Sequence, residues 1–272
     1  MDRSAFTLVV PTFNEAIGIH VTLAELTAAA AALRERYDGV ELLLVDDGSS
    51  DGTPDMIRRY AADHPGSLEL VEHERNAGLV AAMRTGAERA RYETVVFLDA
   101  DLSYRPEIAG PLVDALRGSG ASAALASPYM AGGRVANVPF VRLAASRVAN
   151  WLLTGCAAGR LHTFTGMVRA YDRAAFVGLF ATLPEGEFNA WAVAMLIAGG
   201  RTVVEIPAAL VWPAERVTSP SRLSLGSLWD RTLLVAKTVS ILVEAMRLDA
   251  RRANLGTLVL GSPSPRPCAS DS

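Results

Sequence analysis

Four short β-branched and leucine-rich runs, FTLVV at 6–10, ELLLV at 41–45, LELVE at 68–72 and VVFLD at 95–99, alternate with stretches of helical character. This alternation constrains the fold more than any other feature. Strands separated by helices return to the same sheet edge and pair in parallel, so the expected class is α/β, a mostly parallel sheet flanked by helices. The first helix is the clearest, because Ile19, Leu23, Leu26, Ala30, Leu33 and Tyr37 recur at spacings of four and three and share one face. Asn14 or Thr12 is placed to cap its start.

After about residue 118 the texture changes. The sequence predicts a weak strand AALAS at 123–127, a turn at Gly132 and Gly133, a helix over about 138–156, a helix over 187–199 and a strand RTVVEIP at 201–207. From Ser227 to Arg252, Leu228, Val235, Val239, Leu242 and Met246 form one stripe, with Asp230, Arg231, Lys237 and Glu244 among them. The charges argue against membrane burial, and the pattern reads as an amphipathic helix docked on the core, with a helix lying on a membrane surface as the alternative. The predicted organisation is a main domain over 1–225, with halves 1–117 and 118–225, then a C-terminal amphipathic helix over 226–256 and a disordered tail over 257–272.

The bulk charge excludes some classes of function. Twenty-six basic against 29 acidic residues give a net charge of −3, which makes no case for a nucleic-acid partner. Cys156 and Cys268 lie far apart and support neither a disulfide framework nor a thiolate metal site. The N-terminal sequence shows no signal-peptide pattern, and the uncharged run between Arg117 and Arg134 is rich in Gly, Ser and Pro. The expectation is a cytoplasmic protein with no transmembrane helix, working at the inner face of a membrane if its substrate is there.

Ligands of open parallel sheets bind beyond the carboxyl ends of the strands, so the residues after each strand carry most weight. The first strand runs into Pro11-Thr12-Phe13-Asn14-Glu15, the second into Asp46-Asp47-Gly48-Ser49-Ser50-Asp51-Gly52-Thr53, and the fourth into Asp99-Ala100-Asp101. Acids gathered at one sheet edge repel unless a cation or ligand donors compensate them. Asp99 and Asp101, two residues apart at a strand end, can approach one hard divalent cation that also touches phosphates; solvated loop carboxylates are the plain alternative. Asp46 and Asp47 can accept hydrogen bonds from a nucleobase N–H or a ribose hydroxyl, or can belong to a turn in which Asp51 caps the next helix.

VVPTFNE, LLVDDGSSDGT, ERNAGLVAAMRTG and VVFLDADLSYRPE, in this order and spacing, resemble glycosyltransferase family 2, and within it the dolichyl- and polyprenyl-phosphate sugar synthases. SPYMAGGR, VRLAASRVANWLLTG, TFTGMVRAYDR and VVEIPA echo that subgroup more loosely. The resemblance implies a GT-A fold with a Rossmann-like sheet and an acceptor-side helical region. It also implies inverting transfer from a nucleotide-diphosphate sugar, UDP-sugar or GDP-mannose, with Mg²⁺ or Mn²⁺ as cofactor. By position, Pro11, Thr12, Glu15, Asp46 and Asp47 would bind the nucleotide and Asp99 and Asp101 the metal diphosphate, with Asp101 acting in catalysis. The chain departs from the subgroup at Ala126-Ser127-Pro128-Tyr129, around His162 and Thr163, and at Ser219-Pro220-Ser221-Arg222.

The acceptor is read from charge. Between Gly118 and Tyr171 there is no Asp or Glu, while Arg134, Arg142, Arg147, Arg160, Arg169 and His162 all occur. Arginine's planar fork suits phosphate, so Arg134, Arg142 and Arg147, with Arg216 and Arg222 further on, are candidates for an acceptor phosphate; solvent-facing arginines are the plain alternative. A phosphate monoester is already an oxyanion at neutral pH and needs no general base. Glu187 is the candidate base, or acceptor-orienting group, if one is needed. Polyprenyl phosphate, met by peripheral membrane contact, is the first acceptor expected. A soluble secondary-metabolite acceptor, or a nucleotide-sugar binding protein without activity, are the other readings.

Overall fold

A computed structural model of the chain describes residues 5–156, 161–181 and 188–212, together with 239, 240 and 243. Among them the strands are β1 (Phe6–Thr12), β2 (Val40–Asp46), β3 (Glu69–Glu72), β4 (Thr94–Phe97), β5 (Ala123–Ser127), β6 (Arg134–Ala136), β7 (Arg169–Asp172), β8 (Val203–Pro207) and β9 (Ala209–Val211). Seven form one sheet in the order β3-β2-β1-β4-β7-β5-β8, and β6 pairs with β9 in a second, two-stranded sheet. In the large sheet β7 runs antiparallel to both of its neighbours, and every other pairing is parallel. The helices are α1 (Ile19–Arg34), α2 (Thr53–Asp63), α3 (Leu79–Arg89), α4 (Ala109–Ser119), α5 (Phe140–Cys156), α6 (Arg173–Gly178) and α7 (Phe188–Ala198).

Period-two alternation divides the core into two layers. Phe6, Leu8 and Val10 of β1 and Leu42 and Leu44 of β2 pack with Leu23, Leu26 and Leu33 of α1 and Leu112 of α4. Val9, Leu43 and Val45 point the other way, onto Ala82, Met83 and Ala87 of α3. Both strands are buried along their whole length, as expected where helices cover both faces. Gly86 lets α3 sit directly on β1, since a Cβ there would lie 2.2 Å from Val9 Cγ1.

The helix face expected for α1 is buried throughout, from Ile19 to Tyr37. Its expected cap is not observed: α1 begins after Gly18 with no side-chain cap. Asn14 instead adopts a left-handed conformation (φ 54°) and turns toward the loop after β2. β7 and the small β6/β9 sheet are additions to the predicted strand list. The division at residue 117 falls inside α4, and β5, β7 and β8 continue the same sheet as β1 to β4. No helix among the described residues is long and apolar enough to cross a membrane. Glu187, Arg160, Arg216, Arg222, the expected 226–256 helix apart from residues 239, 240 and 243, and the 257–272 tail lie outside the described residues.

Candidate active site

β1 leads to β2 on one side, and the chain later returns to place β4 on β1's other side. The strand order therefore reverses at β1 and β4, which opens a crevice beyond their carboxyl ends. A cleft of about 280 Å³ lies there, lined by Pro11, Thr12, Phe13 and Glu15 after β1, Asp47 after β2, Asn76, Gly78 and Leu79 at the start of α3, Asp99, Ala100 and Asp101 after β4, and Met167.

Two of its walls are sewn together. Asn14 N–H donates to Ser49 Oγ (2.8 Å), and Asn14 Oδ1 accepts Ser50 N–H (3.0 Å). Glu15 N–H donates to Thr53 Oγ1 (2.9 Å), and Ala16 N–H to Asp51 Oδ2 (3.0 Å). Asp51 also accepts from the Thr53 hydroxyl and N–H. Burial acts to raise the Asp51 carboxyl, but these hydrogen bonds outweigh it and hold the group below the usual carboxylate range.

The two adjacent aspartates after β2 do different work. Asp46, 1% exposed, turns back into its own loop, where Oδ2 accepts Ser49 N–H (2.9 Å) and Oδ1 accepts the Ser49 hydroxyl (2.6 Å). Asp47 reaches across to the segment before α3. Its Oδ1 accepts from His73 Nδ1 (2.8 Å) and Ala77 N–H (2.9 Å), and its Oδ2 from Gly78 N–H (2.7 Å). His73 Nε2 in turn meets Thr85 Oγ1 at 2.9 Å. Gly48, at φ 71°, permits this contact, because a Cβ there would lie 2.4 Å from the Arg75 carbonyl carbon. A carboxylate offers about four acceptor positions, so Asp47 keeps one beyond the three it uses to hold the wall. Of the pair, Asp47 lines the cleft.

Asp99 and Asp101 are half-buried and flank Ala100 on the opposite wall. Ser103 N–H donates to Asp101 Oδ1 (2.9 Å), and Leu102 is held in the left-handed region at φ 54°, a costly conformation for a bulky side chain. Among the described residues no cluster of three or more His, Cys, Asp or Glu forms a protein-only metal cage. Two carboxylates fit an ion of the magnesium or manganese type, whose remaining ligands come from substrate phosphates and water. Tyr104 is buried behind them; burial and the Asp99 carboxylate push its phenol well above the ordinary range, so it stays a neutral hydroxyl.

The acid-free stretch is used partly by the fold. Arg169 is fully buried, donating through Nη1 to Asn189 O (2.6 Å) and through Nη2 to Phe164 O (2.5 Å). His162 lies against Glu205 of β8, which also accepts the His162 and Thr163 N–H groups. Arg134, Arg142 and Arg147 remain on the surface, outside the cleft lining, and the Arg142 guanidinium stacks over Trp212 at 4.5 Å. Residues that the motif reading left without a role are His73, Asn76, Gly78, Leu79, Tyr104 and Met167. All but Met167 stand in or beside the ERNAGL and DADLSYRPE motifs, which were the available signal.

Comparison with known proteins follows the same outline. The chain is 29% identical to the polyprenol monophosphomannose synthase of Mycolicibacterium smegmatis over 236 residues, covering 85% of each protein. It is 28% identical to the undecaprenyl-phosphate mannosyltransferase of Micrococcus luteus over 255 residues, 91% of this chain and 98% of that one. Among solved structures it is similar to a mannosyltransferase of Pyrobaculum calidifontis in complex with GDP-mannose and Mn²⁺, with TM-score 0.54 and 19% identity, covering 93% of this chain and 79% of that one. It is also similar to the glucosyl-3-phosphoglycerate synthase of Mycobacterium tuberculosis with Mn²⁺, UDP-glucose and phosphoglyceric acid, with TM-score 0.57 and 19% identity, covering 89% and 79%. These structures share its GT-A fold. The profile of Glycosyl transferase family 2 matches residues 7–180, more than half of the 272 residues, so the chain belongs to glycosyl transferase family 2 and is a glycosyltransferase.

Proposed function

We propose that this protein transfers one sugar, with inversion, from a nucleotide-diphosphate sugar to a polyprenyl phosphate, and that it needs a divalent metal ion. The observation that carries this reading is the convergence of Glu15, Asp47, Asp99 and Asp101 on one cleft at the switch point of the sheet. GDP-mannose is the first donor to test, because the two relatives aligned over most of their length are named for mannosyl transfer to a lipid phosphate; a UDP-sugar is the other.

In this reading Pro11, Thr12, Glu15 and Asp47 hold the nucleoside. Asp47 uses its remaining acceptor position, and Asp46 acts through the Ser49 turn. Phe13 and Leu79, 44% and 47% exposed at the cleft, offer apolar surface to a base or ribose face. Asp99 and Asp101 would hold the metal ion, which counters charge on the departing diphosphate. An acceptor phosphate oxygen forms the new bond to the anomeric carbon from the face opposite the leaving group. The carbon–oxygen bond to the diphosphate breaks, and its electron pair leaves with the nucleoside diphosphate. One such displacement inverts the centre. The acceptor arrives as an oxyanion, so no side chain has to remove a proton. Arg134, Arg142 and Arg147 supply positive charge on the acceptor side, with Arg216 and Arg222 as further candidates and Glu187 as an acceptor-orienting group.

The reading is tested by incubating the full chain with GDP-mannose and several UDP-sugars, with Mn²⁺ or Mg²⁺, with and without a short-chain polyprenyl phosphate, followed by mass spectrometry. A lipid-linked sugar phosphate from one donor supports it. Transfer only to soluble acceptors would move the acceptor assignment to a small molecule and keep the donor half.

A further inference from the structure

Asp47 is held by a side chain that the reaction itself does not use. β2 and β3 pair in parallel with Asp46 opposite Glu72. One residue further on, the His73 N–H donates to Asp46 O (2.9 Å), which continues the ladder and sets His73 beside Asp47. The His73 side chain is 16% exposed, and both of its ring nitrogens are in use. Nδ1 lies 2.8 Å from Asp47 Oδ1, and Nε2 lies 2.9 Å from Thr85 Oγ1 on α3.

An ionised carboxylate only accepts hydrogen bonds, so Nδ1 carries the proton. In a neutral imidazole the other nitrogen then accepts, and the Thr85 hydroxyl donates to it. The ring is tied at both ends and cannot turn without losing a bond. Closing the 73–78 segment does not by itself require this, because Ala77 N–H and Gly78 N–H already bind Asp47. What His73 adds is a choice between the two carboxylate oxygens. Oδ1 receives His73 Nδ1–H and Ala77 N–H, which fills its two acceptor positions, whereas Oδ2 receives Gly78 N–H. The acceptor position left for a ligand is therefore on Oδ2, in a wall of the cleft. Recognition groups bind well when their own orientation is locked by packing and hydrogen bonds from behind, and the Thr85–His73 pair supplies that lock.

We infer that His73, anchored by Thr85, is a positioning residue for the donor nucleotide: it fills Asp47 Oδ1 and leaves Oδ2 as the acceptor that meets an N–H or O–H group of the nucleoside. The inference rests on the proposed function, which sets Asp47 against the nucleoside. It adds that His73 governs donor binding and leaves the reacting atoms alone.

The test measures GDP and UDP affinity by calorimetry with Mn²⁺, using the full chain with His73 replaced in ways that separate the two ring nitrogens. Asparagine puts an NH₂ at the Nδ1 position and stops short of Thr85. Glutamine reaches toward Thr85 but carries no donor at the Nδ1 position, and leucine supplies neither. H73L and H73Q are expected to lose at least about tenfold in affinity for the nucleotide that wild type binds, the loss of about one hydrogen bond to a charged group. H73N is expected to recover most of it. In steady-state kinetics the donor KM rises by the same factor, while kcat changes by less than about threefold. T85V, which leaves Asp47 and the cleft lining untouched, is expected to lose affinity several-fold, and it carries the test if H73L does not fold. Denaturation midpoints separate positioning from plain support: support makes affinity follow stability across the variants, whereas positioning makes it follow the donor at the Nδ1 position. Wild-type affinity in H73L or T85V, an H73N that binds no tighter than H73L, or affinity that follows the midpoint overturns the inference. So does a nitrogen NMR spectrum of the wild-type ring with Nδ1 unprotonated. A wild type that binds neither nucleotide overturns both this inference and the proposed function. Failure of the proposed function alone reads differently: the His73 variants shift nucleotide affinity as expected, but no sugar reaches any polyprenyl phosphate.

Discussion

Replacing Asp47 with asparagine probes how the cleft wall is held. Asp47 is 3% exposed, and its carboxylate accepts three hydrogen bonds, from His73, Ala77 and Gly78. An amide accepts only through its one oxygen, and its NH₂ donates. Whichever way the new amide is turned, the NH₂ confronts a donor: Gly78 N–H in one orientation, Ala77 N–H in the other. At least one hydrogen bond to a charged acceptor is lost, and the remainder fall to neutral strength. With about 1.5–3 kcal/mol for a charged hydrogen bond and about 1 kcal/mol for a neutral one, closure of the 73–78 segment weakens by about 2–4 kcal/mol. Because Asn76, Gly78 and Leu79 line the cleft, the loss has two readouts. Hydrogen exchange at the Ala77 and Gly78 amides accelerates by about 30-fold or more, and calorimetry with GDP or UDP and Mn²⁺ shows weaker nucleotide binding. Unchanged exchange at both amides together with unchanged nucleotide affinity would refute the reasoning.

Other perturbations separate the parts of the site. Asp101→Asn is expected to reduce turnover at least about 100-fold with the fold intact by circular dichroism; full turnover in this variant, or in excess chelator, removes the metal assignment. Gly48→Ala is expected to lower the chemical denaturation midpoint and weaken nucleotide binding, because the methyl group overlaps the Arg75–Asn76 backbone at a left-handed φ. Arg147→Ala is expected to raise the acceptor KM several-fold, leave nucleotide affinity unchanged and reduce the salt sensitivity of the remaining activity, read by steady-state kinetics. The Asp51 carboxyl is held low by the Thr53 and Ala16 hydrogen bonds that outweigh its burial. Its stabilisation is therefore complete above the unfolded value near about 4 and lost as pH falls through the depressed folded value. Denaturation midpoints of Asp51→Asn should accordingly fall less steeply than wild type below that pH.

The sheet was legible because its first four strands obey local rules. FTLVV and ELLLV are fully buried in the structure, and such strands read as continuous apolar runs. β7 escaped notice because RAYD offers only four residues and its strand character comes from pairing with β4 and β5, distant in sequence. The junction acids were legible by position, but their division of labour was not. Whether Asp46 turns to Ser49 and Asp47 to Ala77 and Gly78 depends on where the loop before α3 lies, which no local pattern encodes. The same limit explains the misplaced helix cap: Asn14 has the chemistry of a cap, yet its partners are Ser49 and Ser50. The acid-free stretch read as one basic field, but burial of Arg169 and the pairing of His162 with Glu205 depend on tertiary contacts. Of the exposed arginines that remain, Arg142 and Arg147 lie on α5 and Arg134 on β6, placements that charge pattern alone does not give.

The most direct measurement of the central claim is a competition between two acceptors of equal chain length, a polyprenyl phosphate and the corresponding polyprenol, with GDP-mannose and Mn²⁺ and with both products quantified by mass spectrometry. The account predicts transfer to the phosphate alone, with GDP released in equal amount, because the phosphate arrives as a nucleophile and the alcohol must first lose a proton. Equal transfer to the alcohol, or donor hydrolysis with neither lipid product across GDP-mannose and the UDP-sugars, would contradict it.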